Sequence, residues 1–528
     1  MAIFAYTGWM AFSGDGKYKN SVNYVKGMKA LQDSNYAEAM KYLNREIAKN
    51  PDNGYAYYGL GMAYEATGNP SEALDNFNIA IKNIPSDDNY SIALAYSLKA
   101  GVLRRLGDSD GAMENFNKAV ETCPESADFY VMRGMEFRDH GKLEQAEKDF
   151  REAVSLDKKN AEAYVGLAEI AYIQRKYAEV IRLCNYINKL APDHSYAYML
   201  RAKVYMSQNK YREAVNDIVE ALNAGDDKQA LTGMRIIADS MPEIVLERLK
   251  KQKEKYPNDN KWNFYLGMVC EQAGDFSQAA VCYEEMYKSE RSDEIAVILG
   301  NCYKETGMTE KALKYYQEAK KINPASAWIY YEKSVAERGV GMYSEALADI
   351  NSYIAAEPDD ESGYAVRGMV KYYMGDDKGA VDDFTTAIKA NNNDVLSLLY
   401  RGILYDKAGE RKKAVKDFEH VVRVDTKEGE NSSAAYAYRA LADKKKSEKL
   451  AAQILSRGKH CECYNIACMY SEFGETSKAL MALKTAFEKG FRRFDMAECA
   501  PELENVRKLA EFNGLVNECK AKMSAHKG

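Results

Sequence analysis

Residues 57–85, YYGLGMAYEATGNPSEALDNFNIAIKNIP, contain the pattern from which the fold of this chain can be predicted. Small residues, a turn glycine, an aromatic ring and a closing proline follow one another there at fixed spacing, at Gly61, Gly68, Ala73, Phe77 and Pro85. Variants of this pattern recur from residue 20 almost to the C-terminus. A repeat period of about 34 residues is typical of a solenoid built from helix–turn–helix units.

Small residues predict where the two helices of each repeat touch. The eighth position of a repeat carries Gly, Ala or Ser, as at Gly134 and Gly267, and the twentieth carries Ala or Val, as at Ala146 and Ala279. The distance between packed helices depends on the side chains at the contact. We therefore predict that the two backbones approach closely at these positions.

Aromatic residues and helix breakers complete each repeat. Rings such as Phe150 and Tyr283 occupy the twenty-fourth position, where we expect them to wedge between one repeat and the next and bury a large apolar surface. Glycines such as Gly274 follow the first helix, where a left-handed cap is usual. Prolines such as Pro257 close the second helix, because proline cannot continue one.

This pattern resembles the tetratricopeptide repeat family over nearly all of residues 20–493. The resemblance implies an all-α fold, a right-handed superhelical α-solenoid of about 13 helix–turn–helix repeats. The end of the chain, from Tyr464 through Lys489-Gly490-Phe491 to Pro501, is similar to the closing repeat of many bacterial tetratricopeptide proteins. We therefore expect the last residues to cap the stack with a polar face.

The repeats divide the chain into several segments. They are residues 1–19 as an N-terminal segment, 20–228 as a first block of six repeats, 226–259 as a degenerate repeat, 260–428 as a second block of five repeats, 429–459 as a spacer with one extra helix at 434–455, 460–493 as a terminal repeat, and 494–528 as a C-terminal capping helix.

Two of these segments have alternative interpretations. Residues 226–259 lack the aromatic anchors and carry Pro242 at the turn between their helices. Stability in a solenoid passes between nearest neighbours, so this layer is either a hinge or a divergent repeat. The apolar stretch within residues 1–19 is either a cover for the first layer or the remnant of a removed export segment.

Composition excludes several functional classes. The 528 residues are 46% hydrophobic and 29% charged with a net charge of −6, which is typical of a folded chain. Lysines are scattered and no stretch approaches the ~20 apolar residues of a membrane-spanning helix, so we expect neither nucleic-acid binding nor membrane insertion. Ten irregularly spaced cysteines favour a reducing, cytoplasmic location. A periplasmic or envelope-associated location is the alternative.

Catalytic and metal-binding motifs are missing from the sequence. His460-Cys461-Glu462-Cys463 and Cys468 form the tightest cluster of metal-binding residue types, but the spacing matches neither a zinc ribbon nor a zinc finger. Free cysteine packs as a small hydrophobic residue. There is no phosphate-binding glycine loop and no His-Glu-x-x-His. We predict a non-enzymatic protein without a metal or cofactor.

The resemblance also implies a binding groove. In the family, the second, fifth, ninth and twelfth positions of each first helix line the inner surface. Here those positions give Tyr55, Tyr58, Met62, Met135, Tyr196, Met199, Phe264, Met268, Trp328, Tyr331, Met369 and Tyr372. Aromatic and methionine side chains suit an adaptable peptide-binding surface. The competing interpretation is that part of this set packs against a neighbouring helix and never meets a ligand.

These observations predict a scaffold or adaptor that binds a peptide or protein segment in the groove of a superhelix. The oligomeric state is left open. Two alternatives remain, an accessory protein of envelope or secretion assembly and a regulatory subunit of a separate enzyme. A purely structural spacer is a further alternative, and it would tolerate changes in the groove.

Overall fold

The computed structural model describes residues 21–225, 227–428 and 432–525. All regular secondary structure in these residues is helical, as 31 α-helices and one short 3-10 helix. The prediction of an all-α solenoid is confirmed. No helix in the described ranges is long and apolar enough to cross a membrane.

The chain forms two compact units, Met1–Ile237 and Ala238–Gly528, which are called unit 1 and unit 2 below. Unit 1 contains α1 (Val22–Gln32), α2 (Tyr36–Lys49), α3 (Gly54–Ala66), α4 (Pro70–Asn83), α5 (Asn89–Arg105), α6 (Ser109–Thr122), α7 (Ala127–Asp139), α8 (Leu143–Leu156), α9 (Ala161–Ile173), α10 (Tyr177–Leu190), α11 (Ser195–Ser207) and α12 (Tyr211–Asn223). The division between the units falls within α13 (Asp227–Ser240). It therefore lies inside the predicted degenerate repeat, where hinge motion stays a prediction.

Unit 2 continues the array and ends in shorter helices. It contains α14 (Pro242–Lys255), α15 (Asn260–Gln272), α16 (Phe276–Ser289), α17 (Asp293–Glu305), α18 (Thr309–Ile322), α19 (Ala327–Gly339), α20 (Tyr343–Ala356), α21 (Glu361–Met374), α22 (Asp377–Ala390), α23 (Val395–Lys407), α24 (Arg411–Glu428), α25 (Ser432–Ala440), α26 (Lys444–Arg457), α27 (His460–Glu472), α28 (Thr476–Glu488), α29 (Phe494–Cys499), the 3-10 helix Pro501–Leu503, α30 (Glu504–Arg507) and α31 (Ala510–Ala525).

The turns within repeats follow the predicted chemistry. Gly68 and Gly274 have φ values of 80° and 76°, the left-handed conformation that glycine adopts without a steric penalty. Other turns place a non-glycine residue in this conformation, as at Arg175 and Ala442, with φ of 57° and 66°. Because these positions are not glycine, the sequence does not predict their left-handed conformation.

Ala442 explains one difference from the predicted organisation. Residues 434–455 were expected to form one extra helix, but α25 and α26 are two helices separated by a turn at Ala442. Asp443 caps the second of them by accepting a hydrogen bond from the backbone N–H of Lys446 (3.1 Å). Fourteen helix pairs, α1 to α28, therefore succeed one another instead of about 13.

The small residues of the repeat make room for rings. A methyl group on Gly61 would lie 2.6 Å from Cε1 of Phe77, and one on Gly134 would lie 2.9 Å from Cε1 of Phe150. Phe150 also abuts Gly166 of the following repeat. The rings thus wedge between repeats as predicted, and the eighth-position glycines contact a ring of their own repeat.

A row of buried ion pairs, which the sequence analysis missed, joins the helices of several repeats. Arg133 donates from Nε and Nη2 to the two carboxylate oxygens of Asp149, both at 2.8 Å, and from Nη1 to Asn117 of the preceding repeat (3.1 Å). The same spacing of sixteen residues pairs Arg201 with Asp217, Arg367 with Asp383 and Arg401 with Asp417. Bidentate pairs of this kind fix geometry as well as supplying energy.

The chain end packs on the last repeat. Phe491 stacks on Tyr464 at 4.3 Å between ring centroids, and Phe494 lies 4.9 Å from Phe487. Leu503 is fully buried in the same cluster. Residues 494–525 therefore form two short α-helices, a 3-10 helix and α31, whereas the sequence predicts one capping helix over 494–528.

Candidate functional site

Several groove residues predicted in unit 1 lie in the core. Tyr58 and Met199 are almost fully buried, and so is Tyr55, whose hydroxyl donates to Asp88 (2.8 Å). Met62 and Met135 are partly buried against core clusters. These five side chains therefore contribute to packing between helices.

The sixth residue, Tyr196, belongs to a polar network. Its hydroxyl donates to Glu169 (2.6 Å), which also pairs with Arg138. The Lys203 ammonium group lies 5.9 Å from the Tyr196 ring centroid. Charged side chains therefore surround Tyr196 in unit 1.

Unit 2 exposes the predicted aromatic residues more fully. Trp328 is 50% exposed and stacks on Tyr331, with ring centroids 4.8 Å apart and planes inclined by 8°. The ring of Tyr353 contacts the ring of Tyr331, with 5.1 Å between the ring centroids. Phe264 is 36% exposed and Met268 is partly buried. Trp328 and Tyr331 together are called the tryptophan stack below.

Met369 and Tyr372 lie elsewhere in unit 2, beside residues that the sequence analysis missed. Met369 packs against the core around Phe384. Tyr372 lies 5.1 Å from Tyr400 and 5.7 Å from Tyr373, measured between ring centroids. The two residues therefore do not join the tryptophan stack through any ring contact within the described ranges.

The C-terminal residues reach back to these tyrosines. Glu502 Oε1 accepts hydrogen bonds from the hydroxyls of Tyr373 (3.2 Å) and Tyr400 (3.0 Å). Thr309 donates to Asp495 (2.9 Å) across 186 residues of sequence. The thiol of Cys499 lies 3.3 Å from the backbone oxygen of Gly339. Residues near the end of the chain thus contact repeats of unit 2 that are more than 100 residues away in sequence.

These contacts bring four tyrosines and two carboxylates together in one cluster. We call it the tyrosine pocket, and its members are Tyr372, Tyr373, Tyr400, Tyr436, Glu472 and Glu502. Burial, with the nearby Glu472 and Glu502 carboxylates, raises the pKa of Tyr372 well above its usual range. All four phenols therefore stay neutral and present aromatic faces and hydroxyl groups.

Glu472 makes stability depend on pH. Burial and the neighbouring Glu502 carboxylate raise the pKa of Glu472 from 4.5 to about 7. The stabilising effect of this proton is complete below about pH 4.5 and is lost as pH rises through 7, since the unfolded chain ionises first. The free energy of unfolding of the wild type should fall between pH 5 and 8. In the Glu472→Gln variant we expect this fall to be smaller, by at most ~3 kcal/mol.

Urea unfolding of both proteins at pH 5, 6, 7 and 8 measures this difference. Burial raises the pKa of Glu337 to about 7 as well, but Glu337 is present in both proteins and contributes a common background. Identical pH dependence in the wild type and the variant would contradict the assignment to Glu472.

Six of the ten cysteines are buried, and Cys461 is exposed. All ten are free, and Cys463 is fully buried beside the backbone oxygen of Ile454 (3.6 Å). In the part of the chain that the structure describes, no group of three or more His, Cys, Asp and Glu side chains could hold a metal ion.

Comparison with known families supports the repeat assignment. The model for the N-terminal ARM repeat of tetratricopeptide repeat protein 21 matches residues 14–215, the tetratricopeptide repeat model matches residues 294–326, and the model for anaphase-promoting complex subunit 5 matches residues 380–448.

Individual proteins show low identity. Human Superkiller complex protein 3 is 24% identical over 390 residues, which cover 63% of this chain and 25% of that protein. Human tetratricopeptide repeat protein 6 is 28% identical over 183 residues, or 34% of each. The chain thus spans a quarter to a third of these two relatives. The solved APC/C hetero-tetramer Cut9–Hcn1 aligns with a TM-score of 0.35 and 15% identity over 98% of both chains.

Successive helix pairs, left-handed turns and inter-repeat rings define an α-solenoid, a class of protein that provides surfaces for protein interaction. This chain is a tetratricopeptide repeat protein.

Proposed function

We propose that this protein is a non-enzymatic scaffold that holds a segment of a partner protein on unit 2, at the tryptophan stack. The observation that carries the proposal is the half-exposed indole of Trp328, which lies flat on Tyr331. Large aromatic side chains held in place at a surface are typical anchors of protein interfaces. The stack also coincides with second and fifth positions of a first helix, which line the groove in the family.

The relatives support a role in an assembly. Superkiller complex protein 3 and anaphase-promoting complex subunit 5 are named as members of complexes. We extend only that general role to this chain. Its cytoplasmic location stays a prediction, which fractionation of the native cell tests. A membrane or periplasmic fraction would instead favour the envelope-assembly alternative.

Capture from the native host tests the proposal. We expect Trp328→Ala to reduce recovery of a specific partner at least tenfold, because loss of an anchoring aromatic residue costs about 2 kcal/mol or more. Met481→Ala is the matched control, since Met481 is 58% exposed on α28, a second helix. The captured protein is then purified, and its affinity for both variants is measured by calorimetry.

The outcomes separate the alternatives. A partner that depends on Trp328 supports the scaffold, and an enzyme as that partner would favour the regulatory-subunit alternative. Equal affinity of the Trp328→Ala variant and the wild type would contradict binding at the tryptophan stack. Circular dichroism of each variant establishes that the comparison is between folded proteins.

A further inference from the structure

Glu472 and Glu502 in the tyrosine pocket lack a cationic partner. Neither carboxylate forms an ion pair with a lysine or arginine within the described ranges, and Oε2 of Glu502 has no hydrogen-bond donor there. Glu502 is only 5% exposed. Burying a carboxylate without a partner costs free energy, so this arrangement needs an explanation.

Four other buried carboxylates of the chain have an arginine partner. Asp149, Asp217, Asp383 and Asp417 are each 4% exposed, and each pairs with an arginine. At this repeat position an arginine sixteen residues earlier therefore neutralises the buried aspartate. Glu472 and Glu502 of the tyrosine pocket lack such an arginine within the described ranges.

The rings around the two carboxylates suit a cation. Tyr372, Tyr373, Tyr400 and Tyr436 each keep part of their surface exposed to solvent. The guanidinium carbon of Arg338 already lies 5.3 Å from the ring centroid of Tyr373. A second cation over the other rings would gain both ring contacts and the attraction of two carboxylates.

We propose that the tyrosine pocket binds a lysine or arginine side chain of the partner segment. The inference rests on the proposed function, because it names the chemistry that the partner presents in unit 2. Carboxylate oxygens accept the ammonium or guanidinium hydrogens, and the tyrosine faces surround the aliphatic stem. A basic segment fits this pocket, whereas an acidic one would add a third negative charge.

Binding of such a cation is coupled to proton release. Glu472 faces the Glu502 carboxylate, the hydroxyls of Tyr372 and Tyr436, and the thiol of Cys468 on its own helix. Burial keeps the tyrosines and this thiol neutral near pH 7, so Glu472 is the group that changes charge. Ionised Glu472 attracts the cation more strongly, so affinity rises with pH.

Selection from a phage-displayed library of random 12-residue peptides, with the full-length protein as bait, tests the proposal. We expect the enriched peptides to share a lysine or arginine. For the best of them, fluorescence anisotropy gives the affinity of the peptide and of a copy with norleucine at that position. We expect norleucine to weaken binding at least tenfold.

Protein variants locate the effect. The double variant Glu472→Gln/Glu502→Gln keeps the acceptors for the tyrosine hydroxyls and removes the charges. We therefore expect it to bind the basic peptide at least tenfold more weakly and to show no preference for that peptide over the norleucine copy. Glu504→Gln is the matched control, because Glu504 lies in the same segment and pairs with Lys508 on the surface (2.8 Å). Between pH 6 and 8 wild-type affinity should rise about tenfold, and Glu472→Gln should remove this rise.

The remaining outcomes overturn the proposal. Enriched peptides without a basic residue, or equal binding of lysine and norleucine peptides, would refute a cation pocket. If such peptides still lose affinity in the Trp328→Ala variant, the proposed scaffold stands while this inference fails. A selection that enriches no peptide contradicts both.

Discussion

Gly267→Leu is expected to lower the free energy of unfolding by about 3 kcal/mol or more. Even the first carbon of the new side chain would lie 2.5 Å from Cζ of Tyr283, a ring that is 1% exposed. The ring lies in a buried cluster that includes Ala296 and Leu299 of the following repeat, and overpacking of such a core is destabilising. Urea unfolding followed by circular dichroism measures the effect.

A glycine in a first helix with free space provides the control. Nothing lies within 4 Å of a methyl group placed on Gly101, so Gly101→Leu should be neutral or slightly stabilising, because leucine favours a helix over glycine. Unfolding of the Gly267 variant at the wild-type urea concentration would show that the repeat phase assigned to this segment is wrong.

Asp149→Ala is expected to cost about 3 kcal/mol. Asp149 is 4% exposed and accepts two hydrogen bonds from Arg133, so its removal leaves a guanidinium group without its carboxylate. Breaking a buried ion pair from one side is strongly destabilising. The loss should appear in urea unfolding at neutral pH with little change in helix content.

Two further variants separate the ion pair from general effects. Glu147→Ala removes a surface pair with Arg151 (2.6 Å) from the same helix and should cost less than 1 kcal/mol. Arg133→Met/Asp149→Leu should be more stable than Asp149→Ala, since no charge is then left unpaired. If Asp149→Ala unfolds like Glu147→Ala, the buried pair does not hold the repeats together.

The repeat itself could be predicted because its signals are local. Gly68 and Gly274 indicate a left-handed turn by their residue type alone. The spacing between Gly61 and Phe77 recurs in other repeats. Where the turn uses Ala442 instead of glycine, residue type does not indicate the turn, and the sequence predicts one helix in place of α25 and α26. A residue that adopts positive φ at a steric cost is held there by its surroundings.

The candidate binding surface could be predicted only in part. Trp328 and Tyr331 were identified from their repeat positions, but Tyr58 and Met199, chosen by the same rule, are buried. The positions repeat in sequence, whereas burial depends on the size and direction of neighbouring side chains. Arg133 and Asp149 could have been found from the recurrence of an Arg–Asp spacing of sixteen residues.

The helix pairs, their period and most of the turns can be predicted from the amino-acid sequence, since they depend on contacts within about 34 residues. The surroundings of Glu502 depend on the folded chain, because its partners Tyr373 and Tyr400 lie 129 and 102 residues away in sequence. Contacts between residues so far apart depend on how many repeats lie between them and on how each of these repeats is oriented. The sequence of one repeat does not specify these contacts, so the tyrosine pocket can be recognised only in the folded chain.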